Sequence, residues 1–206
     1  MSKGENTKST ILETGLRMAS RDGLEGVTIG RLADDLHLSK SGVFAHFQSK
    51  EALQEQILRF AREAFREKVI TPALKKPRGE ARVRALFDTW LAWAKSDWLP
   101  GGCIFLAAIS ELDDKPGPVR DYLVGMQRDW MATLAHTARA AVQAGDFRAD
   151  CDAEQFAYEL YGYVMAYQHA SRLLGDPKAE RRIKKAFLDL LVRNRRQAGA
   201  NPRSDA

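Results

Sequence analysis

The sequence predicts an all-α fold of nine helices, and three features of the 206-residue chain indicate it. Apolar residues recur at the i, i+3, i+4, i+7 spacing that gives a helix one buried face. Glycine and proline interrupt this spacing where one helix would end and the next begin. No segment alternates apolar and polar residues with the β-branched enrichment that is typical of strands.

The N-terminal part is predicted to hold three helices and the start of a fourth. A first helix over residues 5–21 ends at Asp22–Gly26, because glycine adopts the left-handed geometry of a helix end. Thr28, Ser39 and Ser49 precede the next three helices, and each hydroxyl is suited to cap a helix N-terminus.

Residues 28–50 have the pattern of a helix-turn-helix. Apolar residues line one side of each helix, with Leu38 closing the turn: Ile29, Leu32, Ala33 and Leu36 in the second helix, and Val43, Phe44 and Phe47 in the third. Isolated helices shorter than about 12–15 residues are marginal in water, so these two must pack on each other and on a third element. The pattern predicts a shape suited to the DNA major groove.

A longer helical body is predicted to follow. Pro72, Pro77 and Gly79 are expected to end the fourth helix near Val69 and to separate the body from the N-terminal part. The body helices are predicted over residues 80–96, 103–112, 118–145, 153–174 and 178–196, with Asp152 as a cap, and the tail from Gln197 is expected to be disordered.

The composition is that of an ordinary soluble protein, with 45% hydrophobic and 29% charged residues. The apolar run Cys103–Ile109 is far shorter than the roughly 18 residues that span a bilayer. The polar N-terminus lacks the apolar core of a secretory signal. Cys103 and Cys151 fit neither a disulfide scaffold nor a zinc site. We therefore expect a cytoplasmic, reduced protein with no membrane segment.

The net charge of +5 is distributed unevenly. Residues 1–60 carry eight Lys/Arg and eight Asp/Glu, so the predicted helix-turn-helix part is formally neutral. Residues 178–206 carry nine Lys/Arg and three Asp/Glu, so the basic surplus lies at the other end of the chain. Any attraction of nucleic acid to the N-terminal part must therefore come from local placement of basic residues rather than from net charge.

The chain shows no pattern that is typical of an enzyme. The 4 histidines have no metal-binding spacing, and there is no glycine-rich phosphate loop, CxxC or nucleophile elbow. We therefore predict no catalytic residue, no metal and no cofactor. A Cys103–His169 pair is the least favoured alternative.

Residues 8–58 resemble the DNA-binding domain of the tetracycline-repressor (TetR) family of bacterial transcription regulators. The resemblance covers about a quarter of the chain and rests on these residues and segments: Ile11–Leu12, Ala19, Asp22–Gly23, Gly26–Ile29, Ile29–Ala33, Leu38–Phe47 and Ser49–Leu53. It implies a homodimer that binds double-stranded operator DNA and a small-molecule effector. The implied domains are a helix-turn-helix DNA-binding domain over 5–50 and an effector-binding and dimerisation domain over 51–196, with 51–70 as a linking helix and 197–206 as a tail.

The resemblance implies that the third helix enters the major groove. Phe44 lies where the family usually has a tyrosine whose hydroxyl contacts phosphate, so that contact is expected to be missing. Solvated charges at Lys40 and Lys50, and core roles for Phe44 and Phe47, are the alternatives. The expected DNA-contacting residues are Thr28, Ser39, Lys40, Ser41, Gly42, Phe44, His46 and Lys50.

The resemblance also places an effector pocket among the aromatic residues of the body. A plain core role is the alternative for each of them. The expected pocket residues are Trp90, Trp93, Phe105, Tyr122, Met126, Trp130, Tyr163 and Tyr167. Cys103 starts a predicted helix, where the pKa of a thiol can fall, and is either a pocket wall or a thiol sensor.

In this family the last two helices of each subunit form a four-helix dimer interface. Small and apolar residues at helical spacing suit that role, although packing within one chain is the alternative. The expected interface residues are Phe156, Gly162, Ala166, Ala170, Ile183, Phe187 and Leu190.

The predicted function is a repressor whose operator affinity falls about 5- to 150-fold when an apolar or aromatic effector binds. The fourth helix is the expected lever between the pocket and the recognition helix. An activator, a Cys103-based redox sensor and, least of all, an enzyme are the alternatives. A nucleoid protein without ligand control would not need an aromatic-rich body of this size.

Overall fold

The computed structural model describes residues 3–196, and helices dominate them. The α-helices are α1 (Lys3–Asp22), α2 (Ile29–Asp35), α3 (Lys40–Phe47), α4 (Lys50–Phe65), α5 (Thr71–Leu74), α6 (Glu80–Ala94), α7 (Ile104–Ala107), α8 (Ile109–Leu112), α9 (Pro118–Gln143), α10 (Ala153–Gln168) and α11 (Ala179–Asn194). Two π-helical turns, Arg66–Ile70 and His169–Leu173, follow α4 and α10.

These segments make nine helices within the described residues, because α4 runs through its π turn into α5 and only Ala108 separates α7 from α8. No strand is formed in the same part of the chain, where a single isolated bridge joins Phe147 and Arg195. The predicted all-α fold is confirmed. The predicted tail, residues 197–206, lies outside the described residues.

Four predicted N-caps are confirmed. The side chains of Thr28, Ser39, Ser49 and Asp152 each accept a hydrogen bond from the backbone N–H group three residues later, which satisfies a donor that the helix leaves unpaired. The donors are Arg31 (3.2 Å), Gly42 (3.0 Å), Ala52 (3.0 Å) and Gln155 (2.9 Å).

The turn between α2 and α3 is a Schellman motif. The Leu38 N–H donates to the Ala33 carbonyl at 2.9 Å, and the His37 N–H donates to the Asp34 carbonyl at 3.3 Å. His37 adopts a φ of 53°, in the left-handed region that favours glycine. These bonds close α2 tightly enough for α3 to start two residues after Leu38.

The predicted end of the fourth helix at Pro72 is wrong. Helical structure continues past Pro72 to Leu74, and residues 75–79 form the turn that leads to α6. A proline in a helix interior removes one N–H donor and crowds the preceding turn. The wider π turn Arg66–Ile70 lies directly before this point and relieves that crowding.

Three other predicted boundaries change. The helix predicted over residues 103–112 is broken at Ala108 into α7 and α8, and the helix predicted over 80–96 ends at Ala94. The last helix ends at Asn194 rather than at 196, because Arg195 is extended and pairs with Phe147. The Arg195 guanidinium then donates to both oxygens of Glu80 at 2.6 Å.

The described residues pack into two compact units. The first holds the residues up to Ile70 together with Thr89–Arg128, and the second holds Thr71–Asp88 together with the residues from Asp129. The first unit therefore groups the helix-turn-helix with part of the predicted effector domain. A functional boundary after residue 50 stays a prediction.

In the first unit, the segment 98–111 holds the end of α1. A Cβ at Gly101 would lie 1.5 Å from the backbone oxygen of Ser20, so only glycine fits there. The Gly101 N–H donates to the Ser20 hydroxyl at 3.2 Å, and the Trp98 indole N–H donates to Glu13 at 2.8 Å. The body segment is therefore fastened to α1 by backbone packing and by hydrogen bonds.

Glu111 binds the turn that leads from α1 to α2. Its carboxylate accepts hydrogen bonds from the backbone N–H groups of Leu24 at 3.1 Å and Glu25 at 2.9 Å. The buried Gln54 amide donates to the Leu24 carbonyl at 2.9 Å and completes the turn. Glu111 on α8 therefore holds a turn that lies more than 80 residues earlier in the sequence.

In the second unit, α10 and α11 pack against each other and bury aromatic pairs. The rings of Phe87 and Phe187 stack with centroids 4.0 Å apart, and those of Phe147 and Phe156 lie 5.3 Å apart. An ion pair between Arg193 and Glu159 links the two helices. None of the helices in residues 3–196 is long and apolar enough to cross a membrane.

Gly101→Ala tests the contact with α1. We expect it to lower the free energy of unfolding by about 3 kcal/mol, because the added carbon overlaps backbone that has little freedom to move. Gly125→Ala is the matched control, since a Cβ there meets nothing within 4 Å and alanine favours the helix by up to about 1 kcal/mol. Urea unfolding followed by circular dichroism measures both, and equal stabilities would contradict the contact.

Candidate nucleic-acid interface and effector site

The two sides of α3 differ sharply in burial. Val43 and Phe47 are buried, and Lys8 lies over the Phe47 ring with its ammonium 5.8 Å from the ring centroid. The core role predicted for Phe47 is confirmed. Lys40, Ser41, Gly42 and Ala45 lie on the exposed side of the helix. This side of α3 is accessible to solvent and carries polar and small side chains, so a large polar partner could contact it.

Phe44 lies on the exposed side of α3, with 51% of its surface accessible. The alternative of a core role for Phe44 is therefore wrong. A single exposed apolar side chain is common on protein surfaces, but this one lies on the same side of α3 as Lys40 and Ser41.

Lys40 carries the free positive charge of this face. It is exposed and forms no ion pair with any described residue. The Ser39 hydroxyl caps the helix and lies 3.2 Å from the Ser41 hydroxyl. While one of these hydroxyls donates to the other, only the second can donate a hydrogen bond to a partner molecule. Thr28 and His46 are half-buried beside this face.

Lys50 is already paired inside the protein. Its ammonium donates to the Glu25 carboxylate at 2.8 Å, and both side chains are exposed. The hydrogen bond from Lys50 holds the pKa of the Glu25 carboxyl below its usual value. A phosphate that binds Lys50 must therefore compete with a charged carboxylate.

Arg31 is also engaged within the domain. Its guanidinium donates to the Gly26 carbonyl at 2.7 Å and to the Asp22 carboxylate at 2.6 Å. Asp22 also accepts from Arg21, and this bond, followed by that from Arg31, holds the pKa of Asp22 well below its usual range. Local ion pairs therefore absorb much of the positive charge of the N-terminal part.

An aromatic cluster lies in the first unit and is formed by Phe60, Phe65, Trp93, Trp98 and Phe105. Phe65 makes edge contacts with Trp93 at 5.4 Å and with Phe105 at 5.6 Å between centroids. Trp98 lies 5.7 Å from Trp93 and 6.3 Å from Phe60. The cluster brings together two of the predicted pocket residues, Trp93 and Phe105.

Trp93 is 3% exposed, and its indole N–H makes no hydrogen bond of regular geometry with a described residue. The group within its reach is the buried Cys103 thiol, a weak acceptor. A buried donor of this kind costs roughly 1–3 kcal/mol if it stays unpaired. A ligand oxygen that accepted this hydrogen bond would recover that free energy.

The other predicted pocket residues divide between the two units. Trp90, Tyr122 and Met126 lie in the first, and Tyr122 has the Arg59 guanidinium 4.4 Å above its ring. The second unit holds Trp130, Tyr163 and Tyr167. The Tyr163 hydroxyl donates a hydrogen bond to Glu159 and accepts one from Arg193, both at 3.3 Å.

Sequence reasoning missed Phe60 and Phe65 as neighbours of the predicted pocket. Both lie on α4, which was assigned to the link between domains. Ile57, Ala61 and Phe65 lie four residues apart, so Phe65 continues the buried face of α4. That spacing was the available signal.

Cys103 is 2% exposed at the start of α7, and its side chain makes no capping bond. Burial raises the pKa of the Cys103 thiol, and partial burial raises that of Cys151. The pKa of the Cys103 thiol does not fall at this helix start, because burial in apolar surroundings outweighs the short helix. Among the described residues, no group of His, Cys, Asp and Glu is arranged to hold a metal ion.

Part of the predicted dimer interface must be corrected. Phe156, Ile183, Phe187 and Leu190 are buried in the chain's own core and are not available to a second chain. Gly162 and Ala166 are exposed, and Ala170 is half-buried. Helical spacing revealed both stripes, but not which stripe faces inward.

A second apolar face, the α10/α11 face, was missed. It consists of Tyr158, Met165, Leu173, Leu188 and Val192, all exposed. Among the described residues, this region holds most of the exposed large apolar side chains. Residues 158, 162, 165 and 169 lie on one side of α10, and 185, 188 and 192 on one side of α11.

Comparison with known families gives two matches. Residues 11–57 match the model described as "Bacterial regulatory proteins, tetR family", and residues 79–187 match "Tetracyclin repressor-like, C-terminal domain". Among curated proteins, no match is found.

Solved structures share the fold. A TetR transcriptional regulator from Chloroflexus aurantiacus is 23% identical with a TM-score of 0.80, and the match covers 93% of this chain and 96% of that one. A transcriptional regulator from Saccharomonospora viridis in complex with choline is 21% identical, with a TM-score of 0.81 and coverages of 94% and 100%. AibR, in complex with isovaleryl coenzyme A and operator DNA, is 23% identical, with a TM-score of 0.67 and coverages of 85% and 95%.

Glu25→Gln should strengthen binding to duplex DNA by about two- to fivefold, because it releases Lys50 from an exposed ion pair. Lys50→Ala should weaken binding and reduce the salt dependence of the dissociation constant by about one phosphate contact. Fluorescence anisotropy at several salt concentrations measures both.

Glu63→Gln is the control for this prediction. Glu63 pairs with Arg66 and lies more than three helical turns after Lys50 along α4. Loss of this ion pair should therefore leave duplex affinity unchanged. An unchanged salt dependence in Lys50→Ala would remove Lys50 from the set of phosphate contacts.

Proposed function

The chain belongs to the tetracycline-repressor (TetR) family of transcriptional regulators, and we propose that it is a homodimeric repressor released from its operator by a small effector. The effector is largely apolar or aromatic and carries a hydrogen-bond acceptor. The exposed side of α3, with Lys40 and Ser41 above a buried Val43 and Phe47, is the observation that carries the DNA-binding part of the proposal.

DNA contact is assigned to the exposed side of α3 and its flanks. Lys40 and Ser41 face the base edges or the adjoining phosphates, and Lys50 reaches phosphate after leaving Glu25. Thr28, Ser39, Gly42 and His46 remain the predicted flanking contacts. A single helix-turn-helix reads few base pairs, so two copies on one duplex are needed for specificity.

Dimerisation is assigned to the α10/α11 face. An amphipathic helix that keeps a second apolar stripe in water favours burial against a partner. The ion pair between Arg193 and Glu159 brings Val192 and Tyr158 to the same level of the two helices. Gly162 and Ala166 leave room for close approach of a second chain, since a Cβ at Gly162 meets nothing within 4 Å.

Effector binding is assigned to the aromatic cluster. Its large rings suit an apolar ligand, and the Trp93 indole N–H, whose neighbour Cys103 is only a weak acceptor, suits an acceptor oxygen on that ligand. Proteins of similar fold bind choline in one case and isovaleryl coenzyme A in another. The fold therefore supports ligands of quite different chemistry.

The coupling runs through the segment 98–111. Trp98 and Phe105 belong to the aromatic cluster, while Gly101 and Glu111 hold the end of α1 and the turn before α2. A ligand that displaces the rings thus acts on the helix-turn-helix over a short covalent path. This path adds to the α4 lever inferred from the sequence.

The alternatives have weaker support. Burial of Cys103 argues against a thiol sensor, because the reactive species is the thiolate and it needs access to solvent. Nothing in the site favours a catalytic activity, and we propose none. An activator differs from a repressor only in promoter geometry, so in vitro transcription from the native promoter discriminates between them.

Selection of duplexes from a random pool tests the proposed function. We expect an inverted repeat whose half-sites are about one helical turn, 34–36 Å, or a multiple of it apart. The double variant Leu188→Glu, Val192→Glu should be monomeric in sedimentation and should lose most of its affinity for the selected duplex.

Leu74→Glu is the control for that variant, because Leu74 is exposed but lies outside the α10/α11 face. It should keep the dimer mass and the operator affinity. Selection of no common sequence would refute the DNA-binding part, and an unchanged mass in the double variant would refute the interface.

Trp93→Phe tests the effector site. Compounds from a panel of aromatic and acyl acceptors that quench the tryptophan fluorescence should weaken operator binding about 5- to 150-fold. Trp93→Phe removes the N–H donor and replaces the bicyclic indole by a smaller aromatic ring, so it should weaken those compounds about tenfold and leave operator affinity unchanged. Trp130→Phe is the control, and equal loss in both variants would place the ligand elsewhere.

A further inference from the structure

A shallow apolar cleft adjoins the exposed side of α3, between that helix and the start of α2. It has a volume of about 620 Å³ and is lined by Ile29, Gly30, Lys40, Ser41, Phe44 and Ala45. Ile29, Phe44 and Ala45 supply its apolar walls, and Lys40 forms its charged rim. We call it the Phe44 cleft.

The floor of the Phe44 cleft is open because residue 30 is glycine. A Cβ at this position would meet Lys40 Cε at 3.7 Å and Thr28 Oγ1 at 3.9 Å. Both distances are ordinary van der Waals contacts, so alanine fits without displacing anything. Glycine here is therefore not needed for packing, and its effect is to leave space.

The Phe44 ring cannot replace the phosphate contact of a hydroxyl, because it has no polar atom. It shares one side of α3 with Lys40 and Ser41, at i+4 and i+3 from them, and this side is the one assigned to the major groove. An apolar wall there needs an apolar group on the DNA.

The major groove of DNA offers one such group, the C5-methyl of thymine. We infer that Phe44, with Ile29 and Ala45, receives a thymine methyl group in the Phe44 cleft and thereby specifies a T·A pair in each half-site, while Lys40 holds the adjoining phosphate. This inference rests on the proposed function. It makes Phe44 a base-reading residue.

The experiment replaces each thymine of the selected operator, in both half-sites at once, by deoxyuridine, which removes only the methyl group. Dissociation constants are measured at fixed salt by anisotropy. We expect a loss of about fourfold to fifteenfold at one position per half-site, as for the partial to complete burial of one methyl group in each of two half-sites.

Three variants locate the effect. In Phe44→Ala the deoxyuridine substitution at that position should no longer matter, and in Gly30→Ala, where the added methyl fills the floor, its effect should shrink. In Lys40→Ala the deoxyuridine effect should persist while the salt dependence falls. All three positions are exposed or roomy, and thermal unfolding confirms that each variant is folded.

Two results would overturn the inference while the proposed function stands: deoxyuridine without effect at every thymine, or an undiminished effect in Phe44→Ala. A Phe44→Ala variant that weakens all duplexes equally would indicate contact with sugar rather than base, and also overturns it. Failure to select any operator would overturn the proposed function and this inference together.

Discussion

The arrangement of the DNA-reading helices depends on the contact between the segment 98–111 and the end of α1. Gly101 lies against the Ser20 backbone, where no side chain fits, and Glu111 accepts both free N–H groups of the turn before α2. The same segment carries Trp98 and Phe105 of the aromatic cluster. The core that is proposed to sense the effector and the turn that positions α2 and α3 are therefore built around one stretch of chain.

The electrostatics of the N-terminal part follow from pairing rather than from net charge. Asp22 binds Arg21 and Arg31, and Glu25 binds Lys50, so a formally neutral domain also neutralises its charges locally. Lys40 is left exposed beside the Phe44 ring. In the proposed complex, phosphate competes with Glu25 for Lys50, and apolar contact at Phe44 compensates for a modest electrostatic attraction.

Prediction from sequence succeeded where the rules are local. The caps at Thr28, Ser39 and Ser49 were predicted because a hydroxyl needs only the N–H three residues later. The predicted helix end at Pro72 was wrong because the chain forms a π turn just before the proline, and no residue pattern signalled that turn. The role of Glu111 could not be predicted, because its partners, Leu24 and Glu25, lie far away in the chain.

The sequence by itself determined the helix-turn-helix, the order of the helices and the family, since periodicity and capping act within a few residues. The tertiary structure decided which stripe of α11 is core and which is free, so that Phe187 packs on Phe87 while Leu188 and Val192 face solvent. It also decided that Cys103 is buried and that Phe44 is exposed. Burial and ion pairing depend on neighbours from distant parts of the chain, and no local pattern specifies them.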